Sequence, residues 1–351
     1  MKAKSITKGV MVLLCLFTTA LSTTAHAEVK LIGSGASFPF PIYSKWFKDF
    51  SKENKGIRVD YQAKGSGAGI QDFINNTVDF AASDAAMSEP EMAKVETGSI
   101  LLPMTAGEVV LAYNLRGVKE LKLPRDVYPA IFMGEITKWN DPRIAEANPG
   151  VKLPDQPITV VTRSDSSGTT YVFTKHLSAI NKEFADTVGT GKTVQWPSKN
   201  QFIKAPKNDG ITAQVKQNPG SIGYIEYGYA KLTGATTAML ENKSGKFIAP
   251  GAESGAAALA SAEFPAGTLP NSEVPNLIAW VSDPAGEKAY PIATFTWMLF
   301  YQEQDDAKAQ VLRDLVEYCL TEGQKSADKL GYIPLPDNVI AKVRDASKLI
   351  Q

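Results

Sequence analysis

The chain has 351 residues, of which 44% are hydrophobic, 21% charged and 9% aromatic. That is the make-up of a folded globule of two domains and excludes a disordered or polytopic chain. Thirty-seven basic residues face 37 acidic ones, so no overall field exists to hold a polyanion, nucleic acid is disfavoured as the main partner, and any anion site has to be local.

In chain order, Lys2, Lys4 and Lys8 precede an apolar run over residues 9–21, and Ala25-His26-Ala27 follows. Basic, apolar, then small-x-small is the order of a secretory signal peptide, with cleavage expected after Ala27. The run is too short to span a bilayer, and no later stretch approaches the roughly 20 apolar residues a membrane helix needs. Cys15 follows Leu13 and Leu14, where a lipoprotein signal wants a small residue. A free exported, periplasmic protein is expected. Removing residues 1–27 takes away three Lys, no acid, one Cys and one His, so 34 basic groups face 37 acidic ones. Cys319 and His176 remain as the single cysteine and histidine. An internal disulfide and a His/Cys metal cluster are thereby excluded, and neither metal nor cofactor is expected.

The mature chain alternates short strand patterns with helical ones, which predicts an α/β fold. A strand over residues 29–32 runs through Gly33-Ser-Gly-Ala-Ser-Phe-Pro-Phe-Pro41 into a helix with Tyr43, Trp46, Phe47 and Phe50 at i, i+3, i+4 and i+7. Pro39 and Pro41 suit its first turn. A strand over 57–61 is followed by Gly65-Ser-Gly-Ala-Gly69, read as a tight loop, and then by a helix burying Ile70, Phe73 and Ile74. Residues 78–82 form a strand leading to Ser83-Asp84. A strand over 158–161, the loop Arg163-Ser-Asp-Ser-Ser-Gly168 and a helix from about Thr169 repeat the plan.

Strand, Gly/Ser loop, helix start is an arrangement that gathers unpaired backbone N–H groups and the positive end of a helix dipole at one point. One such loop is a generic anion receptacle or a structural turn. Three in one chain, with an Arg in the third, point to a small oxyanion held by converging hydroxyls and amides.

The strings Gly33-Ser-Gly-Ala-Ser-Phe-Pro, Asn76-Thr-Val-Asp-Phe-Ala-Ala-Ser-Asp84, Ile136-Thr-Lys-Trp-Asn-Asp-Pro142, Val161-Thr-Arg-Ser-Asp-Ser-Ser-Gly-Thr169, Gly220-Ser-Ile-Gly-Tyr-Ile-Glu-Tyr227 and Gly331-Tyr-Ile-Pro-Leu-Pro336 resemble, in order, those of the substrate-binding proteins of bacterial ABC phosphate importers. The likeness covers nearly the whole mature chain. It implies a type II periplasmic binding protein: two α/β lobes joined by a two-stranded hinge, with phosphate enclosed between them. Lobe one would combine residues 28–110 with 281–351, and lobe two would be 111–280. The implied partners are inorganic phosphate and the membrane permease subunits of the importer, served by a monomer. Carried over position by position, the phosphate ligands fall on Ser37, Phe38, Ser66, Asp84, Arg163, Ser167, Gly168 and Thr169. Ser37 stands where many relatives carry Thr, and Gly67-Ala68 stands where a Ser-Gly pair is common.

Physical chemistry assigns roles to this set. Arg163 neutralises oxyanion charge through its planar fork, with Asp165 orienting it. The hydroxyls of Ser37, Ser66, Ser167 and Thr169 and the amides of Phe38 and Gly168 replace a hydration shell with donors held in place beforehand. A carboxylate at Asp84 repels an anion unless the anion carries a proton to donate; phosphate does so at neutral pH and sulfate does not. Arsenate, similarly protonated, stays open as a ligand. The competing class is an enzyme, a secreted phosphate-ester hydrolase using the same serines. His176 sits among Phe173, Leu177 and Ile180 on a helix, where a packing role is expected, and no Gly-x-Ser-x-Gly elbow surrounds Ser37, Ser66 or Ser167. A non-enzyme is expected. Cys319, patterned with Leu312, Leu315 and Val316, reads as a buried packing thiol.

Overall fold

The structure is a computed structural model that describes residues 28–351 apart from 198 and 200. The expected signal peptide, residues 1–27, lies outside the described residues. The strands are β1 (Val29–Gly35), β2 (Ile57–Ala63), β3 (Phe80–Ser83), β4 (Ser99–Tyr113), β5 (Lys122–Leu123), β6 (Thr159–Arg163), β7 (Phe202–Ala205), β8 (Ser221–Glu226), β9 (Thr236–Thr237), β10 (Met239–Glu241), β11 (Phe247–Ile248) and β12 (Ala293–Tyr301). The main sheet runs β2-β1-β3-β12-β4-β8-β6-β7, with β9 also on β4; β11-β10-β5 form a second, small sheet.

Two halves share this sheet. In one, β1 lies parallel to β2 and β3; in the other, β6 lies parallel to β7 and β8. Parallel neighbours need crossovers, and helices supply them. Phe40–Glu53 and Ser66–Ile74 link β1 to β2 to β3, while Gly168–Ile180 and Lys207–Gln217 lie between β6, β7 and β8. All 15 residues of β4 are buried, and it serves both halves. Residues 99–108 pair antiparallel with β12, and 109–113 pair antiparallel with β8.

The helix Phe40–Glu53 shows how sequence pattern becomes packing. Its buried residues are Ile42, Tyr43, Trp46, Phe47 and Phe50, one stripe at helical spacing. Trp46 is clamped by a hydrogen bond from Nε1 to the Gly323 carbonyl at 2.8 Å. A Cβ on Gly323 would sit 2.9 Å from that indole, so the C-terminal chain docks closely there. Burial of each large side chain is worth about 1.5–3 kcal/mol. Cys319 is fully buried beside Leu312, Leu315 and Val316, as its pattern predicts. The ring of His176 is buried too, with Nε2 2.9 Å from the Tyr128 hydroxyl; burial pushes its pKa down to about 3, so it is neutral.

One local expectation is corrected. Gly65-Ser-Gly-Ala-Gly69 is not a loop throughout, because the helix begins at Ser66 and only Gly65, at φ 98°, makes the turn. Small residues occupy the first helical turn because neighbours come close on two sides. A Cβ on Gly69 would lie 2.3 Å from Gly35 Cα, and one on Gly67 would lie 2.1 Å from Ser166 Oγ.

The chain before β12 touches both halves. Trp280 packs on Trp297 with ring centroids 5.2 Å apart, and the Leu277 carbonyl accepts from Trp297 Nε1 at 2.9 Å. Asp283 then forms a bidentate ion pair with Arg125 at 2.6 and 3.0 Å, and Asn242 Nδ2 donates to the carbonyls of Gly286 and Ala289.

Candidate anion-binding site

The carboxyl ends of the parallel strands converge on one place, where open α/β sheets bind ligands. Ser37 and Phe38 follow β1, Ser66 follows β2, Asp84 follows β3, and Ser167, Gly168 and Thr169 follow β6, whose last residue is Arg163. All eight expected residues are buried: Ser37, Phe38, Ser66, Asp84, Arg163, Ser167 and Thr169 each have at most 5% exposure, and Gly168 is buried among them. Phe38 contributes its backbone beside Ser37 while its ring packs edge-on against Tyr332.

The two halves meet across this cluster. Thr169 Oγ1 donates to Asp84 Oδ2 at 3.2 Å. Arg163 Nη2 lies 3.5 Å from Ser37 Oγ, and the Asp84 amide reaches Ser66 Oγ at 3.4 Å. A Cβ on Gly168 would fall 2.4 Å from Ser66 Oγ and 2.5 Å from Asp84 Oδ2, so only glycine lets this helix start approach. The Gly67 amide donates to the Ser166 carbonyl at 3.0 Å, which gives the unusual Gly67-Ala68 pair a cross-cleft contact.

Arg163 is held by a fork. Its Nε and Nη2 donate to Asp165 Oδ1 and Oδ2 at 2.8 and 2.5 Å. Burial works against the Asp165 carboxylate, but the Arg163 fork and the Lys207 amide outweigh it and keep its pKa below the usual range. Lys207 adopts φ 59° to aim that amide. Ser167 caps the helix Gly168–Ile180 by accepting from the Thr170 amide at 3.0 Å, so its hydroxyl proton stays free to donate.

Two buried atoms of the cradle have no hydrogen-bond partner among the described residues: Arg163 Nη1 and Asp84 Oδ1. Burial pushes the Asp84 carboxyl up to about 7, against the opposing pull of Arg163 and the Thr169 hydroxyl. The cradle thus offers an unused cationic donor and an unused carboxyl oxygen, each costly to leave unpaired.

Sequence reasoning missed the residues that aim this cradle. Asn208, after β7, donates from Nδ2 to Ser37 Oγ at 2.9 Å and to Thr169 Oγ1 at 3.2 Å, while its Oδ1 accepts from the Glu226 amide at 2.8 Å. Three consecutive carbonyls of the first loop each accept a tyrosine hydroxyl: Ala36 from Tyr61 at 2.8 Å, Ser37 from Tyr229 at 2.6 Å, Phe38 from Tyr332 at 2.7 Å. Because the peptide is planar, fixing the Ser37 carbonyl fixes the opposite direction of the Phe38 N–H. The Gly331-Tyr332 motif hinted at one of the three; Asn208 had no signal, since its strand reads weakly.

Fold and cradle together define a type II periplasmic-binding-protein fold built around a small-anion receptacle. The profile of the PBP superfamily domain matches residues 22–322. The chain is 38% identical over 343 residues to the phosphate-binding protein PstS of Pasteurella multocida, covering 97% of this chain and 95% of that one. Against the phosphate-binding protein PstS of Methanocaldococcus jannaschii it is 38% identical over 323 residues, covering 87% and 82%. It belongs to the PstS phosphate-binding proteins. A solved structure described as a high affinity periplasmic phosphate-binding protein bound with phosphate has the same fold, with TM-score 0.73 at 23% identity over 90% of this chain and 93% of that one.

Proposed function

We propose that this protein binds inorganic phosphate in the cell envelope and delivers it to the permease subunits of an ABC importer. The observation that carries this reading is the shared burial of Arg163, with Nη1 unpartnered, and Asp84, with Oδ1 unpartnered. A ligand satisfying both must accept from a cation and donate a proton to a carboxylate, which describes a protonated oxyanion. Ser37, Ser66, Ser167 and Thr169 donate through hydroxyls, and Phe38 and Gly168 through amides. Asp165 orients the guanidinium.

Two lobes, 28–110 with 281–351 and 111–280, close on the anion. They are joined where β4 and the chain before β12 pass between the halves, and closure is the signal the permease reads. The 264–280 stretch reaches from the second lobe onto β12. The protein acts as a periplasmic monomer after cleavage behind Ala27. A binding rather than a hydrolytic role is supported by His176, which is buried against Tyr128, and by the cradle serines, which have no histidine among their hydrogen-bond partners in the described residues.

The test is calorimetric titration of the mature protein, freed of bound anion by partial unfolding and refolding, with phosphate and then sulfate, beside an assay of phosphate-ester turnover. One-to-one phosphate binding with no sulfate heat and no turnover is expected. Absence of phosphate binding by folded protein, or genuine turnover, overturns the proposal.

A further inference from the structure

Outside the cradle, Lys192 Nζ meets Glu91 Oε1 across the cleft at 2.6 Å, with the two side chains 24% and 20% exposed. Each residue is tied by backbone to the cradle. Glu91 closes a capping box on the short helix Glu89–Met92: its Oε2 accepts from the Ser88 amide at 2.8 Å and from Ser88 Oγ at 3.0 Å, and Ser88 stands four residues beyond Asp84. The Lys192 carbonyl accepts from the Ser167 amide at 2.8 Å, at the cap of the helix that presents Gly168 and Thr169. One carboxylate oxygen is therefore occupied locally, and the other is aimed at the ammonium.

Burial works to raise the Glu91 carboxyl, but Lys192 and the Ser88 amide outweigh it and hold it below the usual range, so the carboxylate is ionised at neutral pH. Both residues line a cavity of about 700 Å³ at the mouth of the cleft, together with Tyr171 and Trp280. Glu91 follows β3 in one half, and Lys192 lies between β6 and β7 in the other. The side-chain contact bridges the two halves and involves no cradle hydroxyl or guanidinium.

We propose that Glu91 and Lys192 form an ion-pair latch that holds the cleft closed and sets the rate at which phosphate leaves. The latch rests on the phosphate reading above. A contact made only in the closed state shifts the population toward it, whatever anion lies inside. Loss of the latch should therefore speed release without changing the phosphate-to-sulfate preference. For a half-shielded pair the expected acceleration is about three- to tenfold.

The experiment chases radiolabelled phosphate with unlabelled phosphate from the wild type, Glu91→Gln, Lys192→Met and the double variant. Gln keeps the capping-box acceptor and Met keeps the Lys stem. Each single variant is expected to release phosphate faster, the double variant no faster than the singles, and the association rates to stay close to wild type. Wild-type release should also quicken with added salt, more steeply than release from the double variant, a comparison that separates the latch from simple destabilisation. Unchanged release rates, or single effects that add in the double variant, overturn the latch. Failure of the wild type to hold labelled phosphate at all overturns the phosphate reading first, which keeps the two failures distinct.

Discussion

Replacing Asp84 with Asn tests the basis of anion choice. In the wild type, Oδ2 is engaged by the Thr169 hydroxyl at 3.2 Å and Oδ1 has no partner in the described protein. Burial pushes the group up to about 7. At about pH 8 the carboxylate is ionised, accepts a hydrogen bond donated by the protonated phosphate oxygen, and sets its lone pairs against those of sulfate. A buried unpaired acceptor costs about 1–3 kcal/mol, more when charged, so Asp84 should disfavour sulfate by roughly 10- to 100-fold or more. Asn can donate through Nδ2, and sulfate affinity at about pH 8 should rise by that factor. Phosphate exchanges a charge-assisted bond for a neutral one, a loss of about 1 kcal/mol or roughly fivefold. The pH sign follows from the same group. Below about 7 the wild-type carboxyl takes up a proton and can itself donate, so wild-type sulfate binding should strengthen as pH falls through that value. The Asn variant should stay flat there. Calorimetry of wild type and variant with both anions on either side of this pH reads all eight affinities. Equal losses for phosphate and sulfate in the variant, or sulfate binding unmoved by substitution and pH, refute the proton-acceptor reasoning.

Arg163→Ala removes the cradle's guanidinium and leaves Asp165 a half-buried carboxylate without its fork; affinity for every oxyanion should fall by about 3–5 kcal/mol, and unchanged phosphate affinity would show that the site lies elsewhere. Asn208→Ala frees Ser37 and Thr169 from their shared amide; phosphate should bind about 5- to 30-fold more weakly, with the preference over sulfate retained, as titration of both anions would reveal. Stability without ligand should depend on pH in an uncommon direction. Burial pushes Glu108 up to about 8 and Asp84 up to about 7, and raises Glu226 as well. The folded state then binds more protons than the unfolded state between the ordinary carboxyl range and about 8, so stability is fullest at the acid end of that window and is lost as pH rises through it, by a few kcal/mol. Melting curves across the window check this. Glu108→Gln should flatten the slope, and a melting temperature that climbs with pH would refute it.

What could be read from the chain and what could not divide along a physical line. Ser37, Ser66, Asp84 and the 163–169 loop were legible because each sits within a few residues of a strand end. Glycine, serine and proline there act through local dihedral preference and the free N–H groups of a helix start. The helix Phe40–Glu53 was legible for a similar reason, its stripe being written at helical spacing. The start of the helix at Ser66 was misread as loop because close packing against Gly35 and Ser166, not propensity, selects small residues in its first turn. Asn208 lies 171 residues from the Ser37 hydroxyl it aims, and Tyr332 lies 294 residues from the Phe38 carbonyl it pins. No local preference specifies such pairs. They exist because the strand order β2-β1-β3-β12-β4-β8-β6-β7 brings the carboxyl ends of distant strands to one point. The same convergence isolates Asp84 from water and moves its titration from the acid range to about 7. Local residue pattern specifies which side chains and helix starts can meet an oxyanion, whereas their aim, pairing and desolvation arise on folding, because orientation and burial depend on contacts between segments far apart in the chain.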